Sequence, residues 1–142
     1  MSKVRLFFLV VTLSELLAAC GSAGAGSLQV KNAWARPGLA DGNSAAFFVI
    51  NNPSADDTLL SVSSDVAGAV EMHQTTMEDG VMQMNQQENV PVPKGKTTFE
   101  PGGLHVMLIG LKNDLTVGDS FDITLNFKAA GEQVLTVTVQ EP

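Results

Sequence analysis

The chain has 142 residues, of which 44% are hydrophobic and 16% are charged, and its formal net charge at pH 7 is −7. This length suits one domain with its own hydrophobic core, and the acidic balance argues against binding to nucleic acid or to anionic membrane surfaces. The only cysteine is Cys20, so we expect no disulfide and a fold held together by burial.

The N-terminus has the pattern of a secretory signal peptide. Lys3 and Arg5 provide the positive charge that precedes the apolar run over residues 6–13. This run is too short to span a bilayer, and small residues follow it. The sequence therefore predicts export and a signal peptide over residues 1–19.

The signal peptide ends at Leu17-Ala-Ala-Cys20, which resembles the lipobox of bacterial lipoproteins. In that class the peptidase cuts before the cysteine, which then carries the lipid, so Cys20 is the predicted lipidation site. A Gly/Ser/Ala stretch makes residues 20–27 a flexible tether, and residues 28–142 form the predicted folded domain. The alternative is an ordinary signal peptide cut after Ala19 or Ala25.

Export and lipidation together predict a bacterial protein in the periplasm or on the extracytoplasmic face. The mature chain keeps six basic and 14 acidic residues, a net charge of about −8. Attachment to the membrane should therefore depend on the N-terminal lipid alone. Gly21, rather than an aspartate, follows the cysteine and favours the outer membrane.

Short apolar runs recur after the tether, with turn signals about every eight to twelve residues. They predict strands at 28–34, 45–50, 58–63, 69–73, 81–84, 97–99, 104–108, 121–127 and 134–139. The segment Val90-Pro-Val-Pro93 should be extended but not a central strand, because proline cannot donate to the sheet. No segment has a helical period, so we expect an antiparallel sandwich or barrel.

The chemistry is concentrated in one window. Both histidines, and all five methionines after the initiator, lie between Met72 and Met107. Imidazole and thioether are borderline to soft ligands, and thioethers select Cu(I). His105 and Met107 are two positions apart on a predicted strand, so their side chains share a face and can bind one ion.

The turn Glu78-Asp-Gly80 predicts a hairpin that brings His73 near Met84. If the chain returns through the following loop, the His105-Val-Met107 segment joins them at one rim of the sandwich. The predicted ligand set is His73, Met84, His105 and Met107.

The other methionines have different predicted roles. Met72 should point to the opposite face from His73 and is a poor ligand candidate. Met77 is expected near the rim, as a spare ligand or a hydrophobic cover. Met82 shares a face with Met84, and the register of strand pairing decides which of the two is the ligand.

Two stretches, Val70–Met84 and Pro101–Lys112, resemble the PCuAC-type periplasmic copper chaperones. That family is marked by a His, a Met about eleven positions later, and a His-x-Met about twenty positions further on. The resemblance extends over residues 28–140, including Asn32-Ala-Trp-Ala-Arg-Pro37.

The resemblance implies a cupredoxin-like, Greek-key β-sandwich that binds one Cu(I) per chain. It implies the same four ligands as the spacing above. It further implies delivery of copper to the dinuclear centre of cytochrome oxidase during assembly, alongside a Sco-type protein.

Other classes fit the sequence less well. An electron-transfer cupredoxin needs a cysteine ligand, and the Gly-x-Ser-x-Gly pattern of a hydrolase does not occur, so we expect no enzyme activity. A Zn(II) or Cu(II) site would prefer more imidazole or carboxylate. The main alternative is a lipoprotein that sequesters copper for tolerance and does not deliver it.

Overall fold

The computed structural model describes residues 26–142, so the predicted signal peptide, Cys20 and most of the tether lie outside the described residues. No helix in the described part is long and apolar enough to span a membrane. The strands are β1 Gln29–Ala35, β2 Asn43–Asn52, β3 Asp57–Ser63, β4 Ala67–Glu78, β5 Val81–Gln87, β6 Val90–Val92, β7 Gly95–Phe99, β8 Leu104–Leu111, β9 Ser120–Phe127 and β10 Gly131–Val139.

The ten strands form one continuous sheet in the order β5-β4-β8-β7-β2-β1-β10-β9-β3-β6. Most pairs are antiparallel, and β1–β10 and β7–β8 are parallel. β3 and β4 lie far apart in this order but contact each other. The sheet therefore folds over on itself into two layers, as the alternating sequence predicted.

The core lies between these layers and is built by alternation along each strand. In β9, for example, the side chains of Phe121, Ile123, Leu125 and Phe127 are buried, while the residues between them are exposed or half-buried. Such a two-residue period turns one face of a strand inward. Met72 belongs to this core, which confirms that it points away from the face carrying His73.

Most strands extend beyond their predicted bounds, β4 by the most, and the proline-containing strand is outside the sheet centre as predicted. β4 and β5 extend to Glu78 and Gln87 because they pair continuously across their turn. Asp79 and Gly80 have φ angles of 50° and 79°, the left-handed conformations that a two-residue hairpin turn requires. β6, which contains Pro91, lies at the sheet edge, as expected for a strand with a missing donor.

Candidate metal centre

Two histidines face each other at the centre of the candidate site. His73 on β4 and His105 on β8 are direct partners in the antiparallel ladder. Directly opposite residues project from the same face of a sheet. Their ring centroids are 5.8 Å apart, with an angle of 45° between the ring planes. The long-range pairing of β4 with β8 thus joins two residues that are far apart in sequence.

Methionines flank this histidine pair on both sides. Met107 lies two residues beyond His105 on β8 and pairs with Glu71. Met84 on β5 pairs with Thr75, which lies two residues beyond His73 in the opposite direction. Met82 is one step further from the histidines, opposite Met77. The register therefore favours Met84 over Met82 as the nearer sulfur.

The site lies on the outer face of the β5-β4-β8 part of the sheet, where the β4–β8 ladder ends at Gln74 and Leu104, one residue beyond the histidine pair. Within the sheet His73 is paired on both sides, with His105 on β8 and Gln86 on β5. Its side chain consequently stands on a sheet surface. The structure contains the predicted β4–β5 hairpin, and His105 and Met107 lie on one face of β8, as predicted.

His105 is held in a defined orientation. It is 5% exposed, and its Nδ1 lies 3.0 Å from the carbonyl oxygen of Gly103. Because a carbonyl only accepts hydrogen bonds, Nδ1 carries the proton and donates it. In the neutral ring the Nε2 atom then keeps its lone pair, which is the form that binds a metal.

His73 is oriented by an acidic neighbour on the same strand. Its Nε2 atom lies 2.7 Å from a carboxylate oxygen of Glu71, so Nε2–H is the donor to that carboxylate. The Nδ1 atom is buried and has no hydrogen-bond partner among residues 26–142. A buried polar atom without a partner is costly, and a metal ion would supply the missing interaction. Hydrogen bonding of the second ring nitrogen to a carboxylate is typical of metal-binding histidines.

An aromatic wall supports the site from β1 and β2. The ring centroid of Phe47 lies 6.4 Å from that of His105 and 4.6 Å from that of Trp34. The guanidinium carbon of Arg36 lies 5.6 Å from the Phe47 centroid, within cation–π distance. Phe47 is buried but lies outside the main core cluster, so it packs on the outer face.

An open cavity of about 350 Å³ lies against this wall. Its lining includes His105, Met107, Met84, Met82 and Phe47. Met84 is 59% exposed and Met82 is 62% exposed. A ligand held here would be in contact with sulfur and imidazole on one side and would remain reachable from solvent.

The types of donor atom at the site determine which metal ion it favours. Within residues 26–142, no group of three or more His, Cys, Asp and Glu side chains is placed to share a metal ion. The donors beside the two imidazoles are thioether sulfurs and the Glu71 carboxylate, which already accepts the Nε2–H of His73. Neutral imidazole and thioether fit Cu(I) better than Zn(II), which favours imidazole, thiolate and carboxylate.

Sequence reasoning missed the residues that support the predicted ligands. Glu71 is two positions before His73 and therefore shares its face, so the same rule that joined His105 to Met107 would have found it. No local sequence pattern identifies Phe47 and Trp34. Phe47 reaches the site because β2 pairs with β8, and Trp34 because β1 pairs with β2.

Known proteins similar to this chain include lipoproteins. A family model described as "Putative lipoprotein LpqE-like" matches residues 28–139. "Uncharacterized protein RP573" of Rickettsia prowazekii (strain Madrid E) is 35% identical over 113 residues, covering 75% of this chain and 62% of that protein. The chain thus spans less than two thirds of the Rickettsia relative. "Putative lipoprotein Lxx21020" of Leifsonia xyli subsp. xyli is 29% identical over 120 residues, covering 82% of this chain and 72% of that protein.

Solved structures of copper-related domains have the same fold. The apo PCuAC domain from PmoF1 matches with a TM-score of 0.66 and 29% identity, covering 83% of this chain and 97% of that one. The solution structure of CuI-DR1885 from Deinococcus radiodurans matches with a TM-score of 0.63 and 27% identity, covering 86% and 85%. The copper-bound PCuAC domain from PmoF2 has a TM-score of 0.67 at 23% identity, covering 84% and 97%, and this match shows the fold alone. The predicted cupredoxin-like all-β fold and the resemblance to PCuAC-type proteins are confirmed.

Proposed function

We propose that this chain, which belongs to the LpqE-like family, is an extracytoplasmic Cu(I)-binding metallochaperone anchored by a lipid on Cys20. One copper ion per chain is bound by two imidazoles and two thioethers. The ligands are His73 through Nδ1, His105 through Nε2, Met84 and Met107.

The observation that carries this proposal is the arrangement of lone pairs around the histidine pair. Glu71 and the Gly103 carbonyl each engage one ring nitrogen, of His73 and His105 respectively, and leave the other for a metal. Methionines lie one step away on either side. The PCuAC-type structural relatives, one of which holds Cu(I), support copper as the ion.

The neutral ligand set also explains the preference for the reduced ion. Four neutral donors leave copper with its own single charge, whereas Cu(II) prefers harder donors in a tetragonal arrangement. Thioethers need no deprotonation before they bind, and they form no disulfides in an oxidising compartment.

The exposure of the site favours delivery of copper over permanent storage. Met84 is more than half exposed, and the cavity beside it is open to solvent. A recipient's ligands can therefore enter the coordination sphere before the chaperone's ligands leave, which permits transfer by stepwise exchange. We propose the dinuclear copper centre of a respiratory oxidase as the recipient, with a Sco-type protein as a partner in assembly.

Metal titration tests the binding step. The purified protein is titrated with Cu(I) in competition with a chromogenic chelator under reducing conditions, with Cu(II) and Zn(II) measured in parallel. We expect one tight equivalent of Cu(I) and weak binding of the other two ions. Failure to compete for Cu(I) would mean that the histidine and methionine cluster is structural.

Growth of a deletion strain separates delivery from sequestration. Loss of oxidase activity at low copper, restored by added copper, is the expected result for a chaperone. Normal oxidase activity combined with sensitivity to high copper would instead identify a sequestering lipoprotein. Fractionation of the two membranes would test the outer-membrane location, for which Gly21 is the sequence argument.

A further inference from the structure

A second pair of methionines lies on the same face as the proposed copper ligands. Met77 on β4 and Met82 on β5 are direct partners across the hairpin. Directly opposite residues have Cβ atoms about 4.5–5.5 Å apart, so two long thioether side chains can reach one ion. Both side chains are more than 60% exposed, which leaves their sulfurs free of the core.

This pair continues the line of donors outward from the candidate site. Met82 and Met84 are two positions apart on β5 and share a face, a spacing of about 6.5 Å along the strand. Met84 in turn lies one step from the histidine pair. The sulfurs therefore form a series from the hairpin tip to the candidate site.

The hairpin tip extends past the neighbouring strand. The ladder between β4 and β8 ends at the pair Gln74 and Leu104. The next contact is a hydrogen bond of 3.1 Å from the Thr75 amide to the Gly103 carbonyl. Beyond Thr75 the two hairpin strands pair with each other, and the tip is open to solvent on the face that carries Met77.

The charge of the tip favours the approach of a cation. Glu78 and Asp79 lie next to Met77, and both are exposed. Carboxylates near an open site raise the local concentration of cations. Soft sulfur donors beside them would retain Cu(I) in preference to the hard cations that the same charges attract.

We propose that Met77 and Met82 form an entry station, a weak two-thioether site that receives Cu(I) at the hairpin tip and passes it to Met84. This proposal rests on the proposed function, since it requires a tighter copper site further along the strand. In the transfer step the bonds from copper to the Met77 and Met82 sulfurs break in turn as bonds to Met84 and then to the other ligands of the tighter site form. Both donors are neutral thioethers, so no proton or electron moves and copper remains Cu(I).

The double variant Met77→Leu/Met82→Leu tests the station. Leucine keeps an apolar side chain of similar size and removes the sulfur. Uptake is measured by stopped flow from a small Cu(I) chelate, so that no protein partner is involved. We expect one tight equivalent, with the final affinity within about twofold of wild type. Uptake should be slower by roughly tenfold, because capture near the site makes the second step intramolecular.

Val81→Ala is the matched control, since Val81 lies on the same hairpin with similar exposure but on the opposite face. This variant should load copper at the wild-type rate. Wild-type uptake by the double variant, or equal slowing in Val81→Ala, would overturn the entry station.

Methionine methyl resonances give an independent readout in the wild-type protein. The Met84 and Met107 methyls should reach their final shifts at one equivalent of Cu(I). The Met77 and Met82 methyls should move further as excess Cu(I) is added. If excess Cu(I) leaves them unmoved while the first equivalent binds tightly, the entry station alone is wrong. If no tight equivalent forms, the proposed function fails, and the entry role fails with it.

Discussion

His73 and His105 are direct partners across two antiparallel strands, and their ring centroids lie 5.8 Å apart. Each ring has one nitrogen engaged by a neighbour on its own strand or on the turn before it. The sheet thus presents two imidazoles on one face with their unused nitrogens available.

Removal of a proposed ligand should abolish tight copper binding without unfolding the protein. His105→Ala or Met107→Ala is expected to lower Cu(I) affinity by about a hundredfold or more, since loss of a supporting residue alone costs 10–100-fold. Chelator competition measures the affinity, and thermal unfolding checks the fold. Gln74→Ala, an exposed change next to His73, is the control and should retain wild-type affinity. Unchanged affinity in His105→Ala or Met107→Ala would reject the ligand set.

The strand register makes a specific distinction between two neighbouring methionines. Met84→Leu should lose most of the Cu(I) affinity, because Met84 lies one step from the histidine pair. Met82→Leu should keep the equilibrium affinity, because Met82 lies one step further away. Both substitutions remove one sulfur from β5 at similar exposure, so each is the control for the other. The reverse pattern would mean that the hairpin pairs in a different register when copper is bound.

Glu71 should act by orienting His73. Glu71→Ala removes the acceptor of the Nε2–H bond and is expected to lower Cu(I) affinity by about tenfold. Glu71→Gln keeps an acceptor oxygen and should retain most of the affinity. Nitrogen NMR of the His73 ring should show loss of the Nε2–H tautomer in the alanine variant only. Equal affinity in all three proteins would show that the ring is held by packing.

Asp57 supports the fold at the end of the molecule where β3 begins. Its carboxylate accepts hydrogen bonds from the amides of Thr58, Ala129 and Ala130, at 2.7, 2.8 and 2.9 Å. Burial raises the pKa of Asp57, but these three hydrogen bonds and the charge of Lys128 outweigh it, so the pKa lies below the ordinary value of 3.8. A lowered pKa in the folded state means that the carboxylate contributes stability above pH 4, which is lost as the pH falls through the folded-state pKa.

Asp57→Asn should therefore destabilise the protein at pH 7 by about 0.5–1.5 kcal/mol, because solvent screens the charge of this surface carboxylate and a net hydrogen bond contributes about that much. The difference from wild type should shrink as the pH falls below 4. Urea unfolding of both proteins at several pH values measures this difference in the free energy of unfolding. Asp65→Asn, a change at an exposed carboxylate, serves as the control. A difference that stays constant with pH would mean that the charge of Asp57 has no role.

Local patterns predicted much of the fold. The Asp79-Gly80 turn correctly defined the β4–β5 hairpin, and two-residue alternation placed Met72 in the core and His73 on the opposite face. Alternation also placed His105 and Met107 on one face. These features depend on residues within a few positions of each other, where backbone geometry decides the outcome.

Such local patterns could not predict the register in which strands distant in sequence pair with each other. The partnership of His73 with His105 depends on the register of β4 against β8, which is fixed by burial of both strands in the complete sheet. The same pairing places the histidine pair one residue from the end of the β4–β8 ladder. The contact of Phe47 with His105 was missed for the same reason, since the pairing of β2 with β8 joins residues that are far apart in sequence.

The most direct test of this account is X-ray absorption at the copper edge of the Cu(I)-loaded protein. The proposed site predicts one Cu(I) bound by two imidazole nitrogens and two thioether sulfurs. Met84→Leu should reduce the sulfur contribution by half, and Met82→Leu should leave it unchanged. A copper ion with nitrogen and oxygen ligands only, or one whose sulfur signal is unaffected by Met84→Leu, would contradict the proposed copper site.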